Sequence, residues 1–247
     1  VCVFDKDHNK ISALKNVTAA GSPVQLAKES EIIILAVKPQ DFDTLLNEIK
    51  TFTQGKLIIT IAAGITTKYI KSRLGEKTRI IRVMPNMPAQ IGRGVSVLFK
   101  EENATAADLD SAWQLLNYIG LVLVVNEEKM LNAATAVSGS GPAFFCHYIK
   151  EKENADKGRD EFIEMLAEAA VSIGFDHREA DVLSEKTVDG IIAMLKERNL
   201  SCADIIKMVA SKGGTTQAGL DVLQSGGSLG EAVRSASKRA DELGQRS

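Results

Sequence analysis

The hydrophobic pattern changes its period halfway along the chain. In the first half, short runs rich in Val and Ile recur at 1–4, 32–37, 57–61, 79–84, 95–99 and 121–125. They lack polar alternation, the pattern of strands covered on both faces. Between them the period becomes helical. Phe42, Leu45, Leu46 and Ile49 recur at i, i+3, i+4 and i+7, behind Pro39, whose missing N–H is no loss in a first turn. Thr66 or Thr67 can cap a short helix that ends before Gly75. Leu109, Ala112, Trp113 and Leu116 make another stripe, stopped by Gly120. This alternation predicts a largely parallel sheet with helices on its faces.

After Asn126 the strand signal stops. Phe162, Ile163, Leu166, Ala169, Ala170 and Ile173 form one helical stripe, and Val188, Ile191, Ile192 and Leu195 another. Ser201 and Ser228 read as N-caps, the latter with Glu231 completing a capping box. The last stripe runs from Leu229 through Val233 and Ala236 to Leu243. Two domains are expected: an α/β unit over 1–126 and an all-helical unit over 127–247. The polar stretch 150–160 is expected to be a loop between helices.

Composition narrows the function. The 247 residues carry a net charge of −2 with no long basic run, so no nucleic-acid surface is indicated. The longest apolar runs are far too short to span a bilayer. Cys2, Cys146 and Cys202, and likewise His8, His147 and His177, are scattered. The cysteines fit reduced thiols in the cytoplasm better than a disulfide frame or a metal site, and no pair of the histidines has ligand spacing.

Six segments can carry chemistry, and each has a plainer structural reading. Asp5 in "VCVFDKD" stands where a carboxylate can accept from a ribose, or it simply ends a strand in a turn. Ala36, Val37, Lys38 and Pro39, then Ala62, Ala63 and Gly64, follow strands, where open parallel sheets collect ligands; both are also ordinary turns. In "RVMPNMPAQIGRG", Pro85 and Pro88 bracket Asn86 and stiffen its loop, which suits a site where positioning a hydride donor tolerates little slack, or makes only a rigid crossover with no ligand. "AVSGSGPAFF" and "SKGGTTQAGL" break apolar runs with glycines at helix starts. Free N–H groups there hold anions, although helix–helix corners use the same residues. In the second of these, Gly213 and Gly214 are expected to end one helix, and Thr215 or Thr216 to cap the next.

In order, "AVKPQ", "AAG", "RVMPNMPA", "VSGSGPAF" and "GGTTQAGL" resemble the pyrroline-5-carboxylate reductase family over nearly the whole chain. The resemblance implies a Rossmann-type N-terminal domain and an all-α C-terminal domain that forms a homodimer, often within larger rings. It implies reduction of 1-pyrroline-5-carboxylate to L-proline by NADPH or NADH. Carried over by position, Ala36, Val37, Lys38, Pro39, Ala62, Ala63, Gly64, Met84, Pro85 and Asn86 face the cofactor, with Asp5 and Lys6 near the adenosine ribose. Ser138, Gly139, Ser140 and Gly141 lie near nicotinamide and substrate. Gly213, Gly214, Thr215 and Thr216 hold the substrate carboxylate, and Thr216 is the catalytic hydroxyl at the ring nitrogen. Asp5 favours NADH, whereas Lys6, His8 and Lys10 favour NADPH, so both stay open.

Relative to the family pattern, "VCVFD" matches the second strand. The first strand, a G-x-G-x-x-G-type loop and a helix, roughly 30 residues, are expected before it. The reading is of a trimmed chain whose native N-terminus is absent and whose hold on a dinucleotide is weak. Lys212 stands where the family usually has proline, and Phe144 where tyrosine is common. The stretch after Tyr148 reads as an insertion. Two alternatives remain: a relative of the hydroxyacid dehydrogenases, which need a catalytic lysine near the glycine-rich segment, and a non-catalytic helical dimerisation module.

Overall fold

A computed structural model of the chain describes residues 1–151 and 158–244. β1 (Cys2–Val3) and β2 (Thr18–Ala19) pair in parallel as a small separate sheet. Among the described residues the main sheet has five strands in sequential order: β3 (Ile32–Leu35), β4 (Leu57–Thr60), β5 (Arg79–Pro85), β6 (Gly94–Lys100) and β7 (Gly120–Val125). β3, β4 and β5 are parallel, β6 runs antiparallel to β5, and β7 is parallel to β6. The reversal has a simple cause. Only residues 86–93 separate β5 from β6, and a parallel return needs a crossover of about a dozen residues or more.

Helices fill the crossovers. α1 (His8–Ser12) and α2 (Pro23–Glu29) join β1, β2 and β3. Neither has a legible stripe, since each buries a single residue, Ile11 or Ala27. α3 (Phe42–Ile49) follows a 3₁₀ turn that Pro39 opens. α4 (Thr67–Leu74) is capped by Thr66, whose hydroxyl accepts from the Tyr69 N–H, and it ends at Gly75. α5 (Ala106–Asn117) starts at a Thr105–Asp108 capping box.

The sheet buries two faces. Ile33, Leu35, Ile58 and Ile80 pack with Phe42, Leu46, Ile49 and Ile70 under α3 and α4. Leu57, Ile59, Ile81, Val83 and Leu98 pack with Ala112 of α5. Burial on both faces fails at β3, where Ile32 is 37% and Ile34 54% exposed. α5 lies over the strands further along the sheet, and β1 and β2 stand apart, so this face of the edge strand is open.

The second half is helical: α6 (Met130–Ala134), α7 (Gly141–Tyr148), α8 (Arg159–Ser172), α9 (His177–Glu197), α10 (Cys202–Val209), α11 (Thr215–Gln224) and α12 (Leu229–Gly244). Ser201 caps α10, and Ser228 exchanges hydrogen bonds with Glu231 as its capping box requires. Of the loop expected over 150–160, Lys150 and Glu151 lie in a 3₁₀ turn and Arg159 and Asp160 belong to α8; residues 152–157 lie outside those described. The helical core is continuous with the sheet through Val95 and Val97 of β6, and Phe144, Phe145 and Phe162 are its largest fully buried side chains.

Candidate active site

Ser140 owes its position to a fault in a helix. Between α6 and α7, Thr135–Gly139 forms one π turn, with the Ser140 N–H donating to the Thr135 carbonyl at 2.9 Å. The sequence accounts for it. Pro142 has no N–H to give the Ser138 carbonyl. The Thr135 and Ser138 hydroxyls donate to the carbonyls of Leu131 and Ala134, at 2.8 and 2.9 Å, which loosens the ladder further. Single π turns are frequent at functional sites. Ser140 is fully buried, with its Oγ 3.0 Å from Thr216 Oγ1 and 3.5 Å from Thr215 Oγ1.

Thr216 is free to meet it because it does not cap its helix. The N-cap of α11 is Gly214, which has no side chain to offer, so the expectation of a threonine cap is corrected. Thr215 and Thr216 occupy the first turn, where α-helix geometry leaves N–H groups without intrahelical partners. The preceding helix, α10, ends at Val209, so Gly213 and Gly214 belong to a loop rather than to its end. Gly213 has φ +70, a conformation glycine takes without strain. α11 is seated on α7 where the tip of the Phe144 ring fills the notch at Gly219. Ser138, by contrast, turns its hydroxyl onto its own backbone, and Gly141 packs against Thr187.

The sheet rim reaches this site through Met84. Its methyl group covers Gly139; a Cβ there would lie 3.0 Å from Met84 Cε. Asn86 is held by its own side chain: Oδ1 accepts from the Val95 N–H at 2.7 Å, and its N–H donates to the Val95 carbonyl at 3.0 Å. The hold on Val95 adds to the restraint expected of the two flanking prolines. Pro85 is the last residue of β5, opposite Ser96, and Pro88 sits in a 3₁₀ turn packed on Gly190. Asn86 is buried, and its Nδ2 has no hydrogen-bond partner.

The remaining segments fall in two places. Ala62 is buried, and Gly64 lies against Leu243 and Gly244 at the end of α12, the helix whose Arg239 bonds the Gly213 carbonyl. Among the described residues, Asp5 accepts from the Asp7 N–H at 2.8 Å and pairs with Lys10, and Lys6 pairs with Asp41 at 2.7 Å. That places Asp5 and Lys6 beside the turn after β3, where Ala36, Lys38 and Pro39 are exposed and Val37 half-buried. The Asp7 N–H holds the Asp5 carboxyl below the usual carboxylate range, and Asp41 holds the Lys6 ammonium above its ordinary value.

One group went unread in the sequence. Arg82, buried in β5, donates to Glu128 Oε1 at 2.9 Å, and Glu128 also accepts from the Thr67 N–H at 2.8 Å and the Thr67 hydroxyl at 2.7 Å. This ties the central strand and the start of α4 to the segment leading into the helical half. An arginine inside the apolar run "RIIRVMP" was the available signal.

The profile described as pyrroline-5-carboxylate reductase dimerisation matches residues 160–243, which run from the second residue of α8 to the last but one of α12. A pyrroline-5-carboxylate reductase of Methanosarcina acetivorans is 36% identical, over 99% of this chain and 86% of that protein. The chain belongs to the pyrroline-5-carboxylate reductase family. One from Staphylococcus aureus is 34% identical over 80% of this chain and 68% of its own length. The solved pyrroline-5-carboxylate reductase of Coxiella burnetii superposes with a TM-score of 0.64 at 31% identity, covering 98% of this chain and 87% of that one. The Plasmodium falciparum enzyme, solved with NADP bound, superposes at 0.60 with 27% identity, covering 98% and 87%. Residues 1–64 match a profile described as NADP oxidoreductase, coenzyme F420-dependent. Family membership sets aside the hydroxyacid-dehydrogenase reading, and "SGSGPAFF" offers no lysine for it. No helix among the described residues is long and apolar enough to cross a membrane.

Proposed function

We propose that this chain reduces 1-pyrroline-5-carboxylate to L-proline, the closing step of proline synthesis, at the junction of α7 and α11. The observation that carries this is the buried Ser140–Thr216 hydroxyl pair beside the uncapped start of α11. The substrate is a small ring with an imine and a carboxylate. N–H groups of the first turn of α11 hold the carboxylate, where the helix dipole favours an anion. The Thr216 hydroxyl, held by Ser140, donates to or accepts from the ring nitrogen and keeps the imine in one orientation. Burial excludes water, and most of the acceleration comes from positioning.

The chain offers contacts that fit NADPH or NADH. Asn86 Nδ2, a buried donor without a partner at the carboxyl end of β5, suits a carboxamide oxygen. Met84 and Pro85 end β5, and Ala62, Ala63 and Gly64 follow the neighbouring parallel strand β4, while Ala36, Val37, Lys38 and Pro39 follow β3 toward Asp41, the partner of Lys6, at what would be the adenosine end. When bound, the dinucleotide supplies the hydride. Asp5 stays ionised at neutral pH and accepts from a ribose hydroxyl, while Lys6 is engaged by Asp41, which weighs toward NADH.

The enzyme works as a homodimer through its helical half, in the cytoplasm, and such dimers build into larger rings. The test is formation of L-proline from 1-pyrroline-5-carboxylate with each reduced cofactor, beside a panel of 3-hydroxy acids with the oxidised ones. Turnover of the imine alone supports the assignment; turnover of a hydroxy acid alone rejects it.

A further inference from the structure

Helix α12 sends one cation to the loop that precedes α11. Arg239 Nε donates to the Gly213 carbonyl at 2.8 Å, and its Nη1 pairs with Glu242 at 2.8 Å. A Cβ at Gly213 would lie 3.8 Å from Nη2, so the guanidinium lies alongside this residue. The next amide is pinned too, because the Gly214 N–H donates to the Ser211 carbonyl at 2.9 Å. The Gly213–Gly214 peptide is therefore fixed at both its oxygen and its nitrogen.

The consequence is electrostatic. A loop meant to hold a carboxylate must present N–H groups and turn its carbonyls away. Gly213, at φ +70, has the freedom to turn its carbonyl either way. A guanidinium that accepts no hydrogen bond and carries a permanent charge fixes that choice. We propose that Arg239 is a positioning residue for carboxylate recognition: it draws the Gly213 carbonyl toward α12, so that only donors at the start of α11 face the substrate. It also brings a positive charge to the loop, partly offset by Glu242.

The rival account is plain packing, since the end of α12 also touches Gly64 and its Asp241 accepts from Asn132 at 2.8 Å. A packing role weakens every ligand and the fold together. A positioning role weakens carboxylate ligands alone. The inference rests on the proposed carboxylate site, and the experiment separates the two.

Binding of L-proline and of L-prolinamide, which lacks the carboxylate charge, is measured by calorimetry on the wild-type chain, Arg239→Gln and Arg239→Lys, with melting temperatures alongside. The wild type is expected to prefer L-proline. Arg239→Gln is expected to lose about tenfold of its L-proline affinity, the scale of one charge-assisted hydrogen bond, with prolinamide affinity and melting temperature unchanged. Arg239→Lys should recover part of the loss, because an ammonium can also bond the Gly213 carbonyl. L-proline affinity unchanged in Arg239→Gln, or an equal loss for both ligands, overturns the inference. A wild type indifferent to the carboxylate overturns the carboxylate site itself and the inference with it.

Discussion

Ser140 and Thr216 are 76 residues apart in sequence and 3.0 Å apart in space, hydroxyl to hydroxyl, both buried. If Ser140 acts by orienting Thr216, its removal should lower kcat and leave KM nearly unchanged. Ser140→Ala is expected to cost about tenfold in kcat, below the range for removing a proton-handling group outright. Adding Ser140→Ala to Thr216→Ala should cost little more, since residues acting as a unit are not additive. Steady-state kinetics on the two single variants and the double variant read this, and full additivity would separate the two hydroxyls.

The glycine, serine and proline punctuation made most segments of this site legible, because those residues mark turns and helix starts wherever they fall. The contact itself was not legible. It depends on the π turn at Thr135–Gly139, which arises from two side-chain hydroxyls and Pro142 acting together. Strand positions in the first half were readable from apolar runs, but direction was not: β6 looks like its neighbours, and only the short link from β5 reverses it. Arg82 and Glu128 meet across 46 residues, and neither lies in a periodic pattern that names the other. Arg239 sits on a helix as an ordinary polar-face residue, and only the fold aims it at Gly213.

The Arg82–Glu128–Thr67 tie should be costly to break. Glu128→Gln leaves the Arg82 guanidinium buried without its counter-charge, with an expected loss of about 3 kcal/mol in unfolding free energy, the low end for buried pairs because Glu128 retains some exposure. Adding Arg82→Met should return part of that loss. Denaturant titration of the three proteins checks both expectations. A loss under about 1 kcal/mol for Glu128→Gln would make the pair no stronger than a surface bridge.

Gly219 sets the distance between α7 and α11. An added methyl group would overlap the Phe144 ring tip and lie 2.9 Å from the Ala232 carbonyl. Gly219→Ala is expected to cost about 1–3 kcal/mol, as overpacking does, and to lower turnover by moving Thr216 away from Ser140. Combining it with Phe144→Leu should relieve the ring overlap but not the contact with the Ala232 carbonyl, and so return part of the loss. Thermal melts and kcat values measured together show whether the two losses share one cause.

Asp108 should shape the acid limb of stability. Burial pushes its carboxyl up, but hydrogen bonds from the Thr105 N–H and hydroxyl and the charge of Arg79 outweigh that, so its pKa is lowered in the folded chain. A depressed carboxyl contributes stability above its unfolded pKa, about 3.9, and that contribution fades as pH falls through the folded value. Asp108→Asn is therefore expected to lower stability at neutral pH by about 1–2 kcal/mol and to flatten the decline below about pH 4. Unfolding free energies from acid to neutral pH read the difference, and parallel curves for the two proteins would contradict it.

The most direct measurement is the rate at which L-proline forms from 1-pyrroline-5-carboxylate at saturating reduced cofactor, for the wild type and for Thr216→Ala, with the oligomeric state followed in the same samples. The account expects product from the wild type, a rate reduced about a hundredfold in the variant, and the same dimer in both. No L-proline from the wild type, or an undiminished rate in an intact Thr216→Ala dimer, would contradict it.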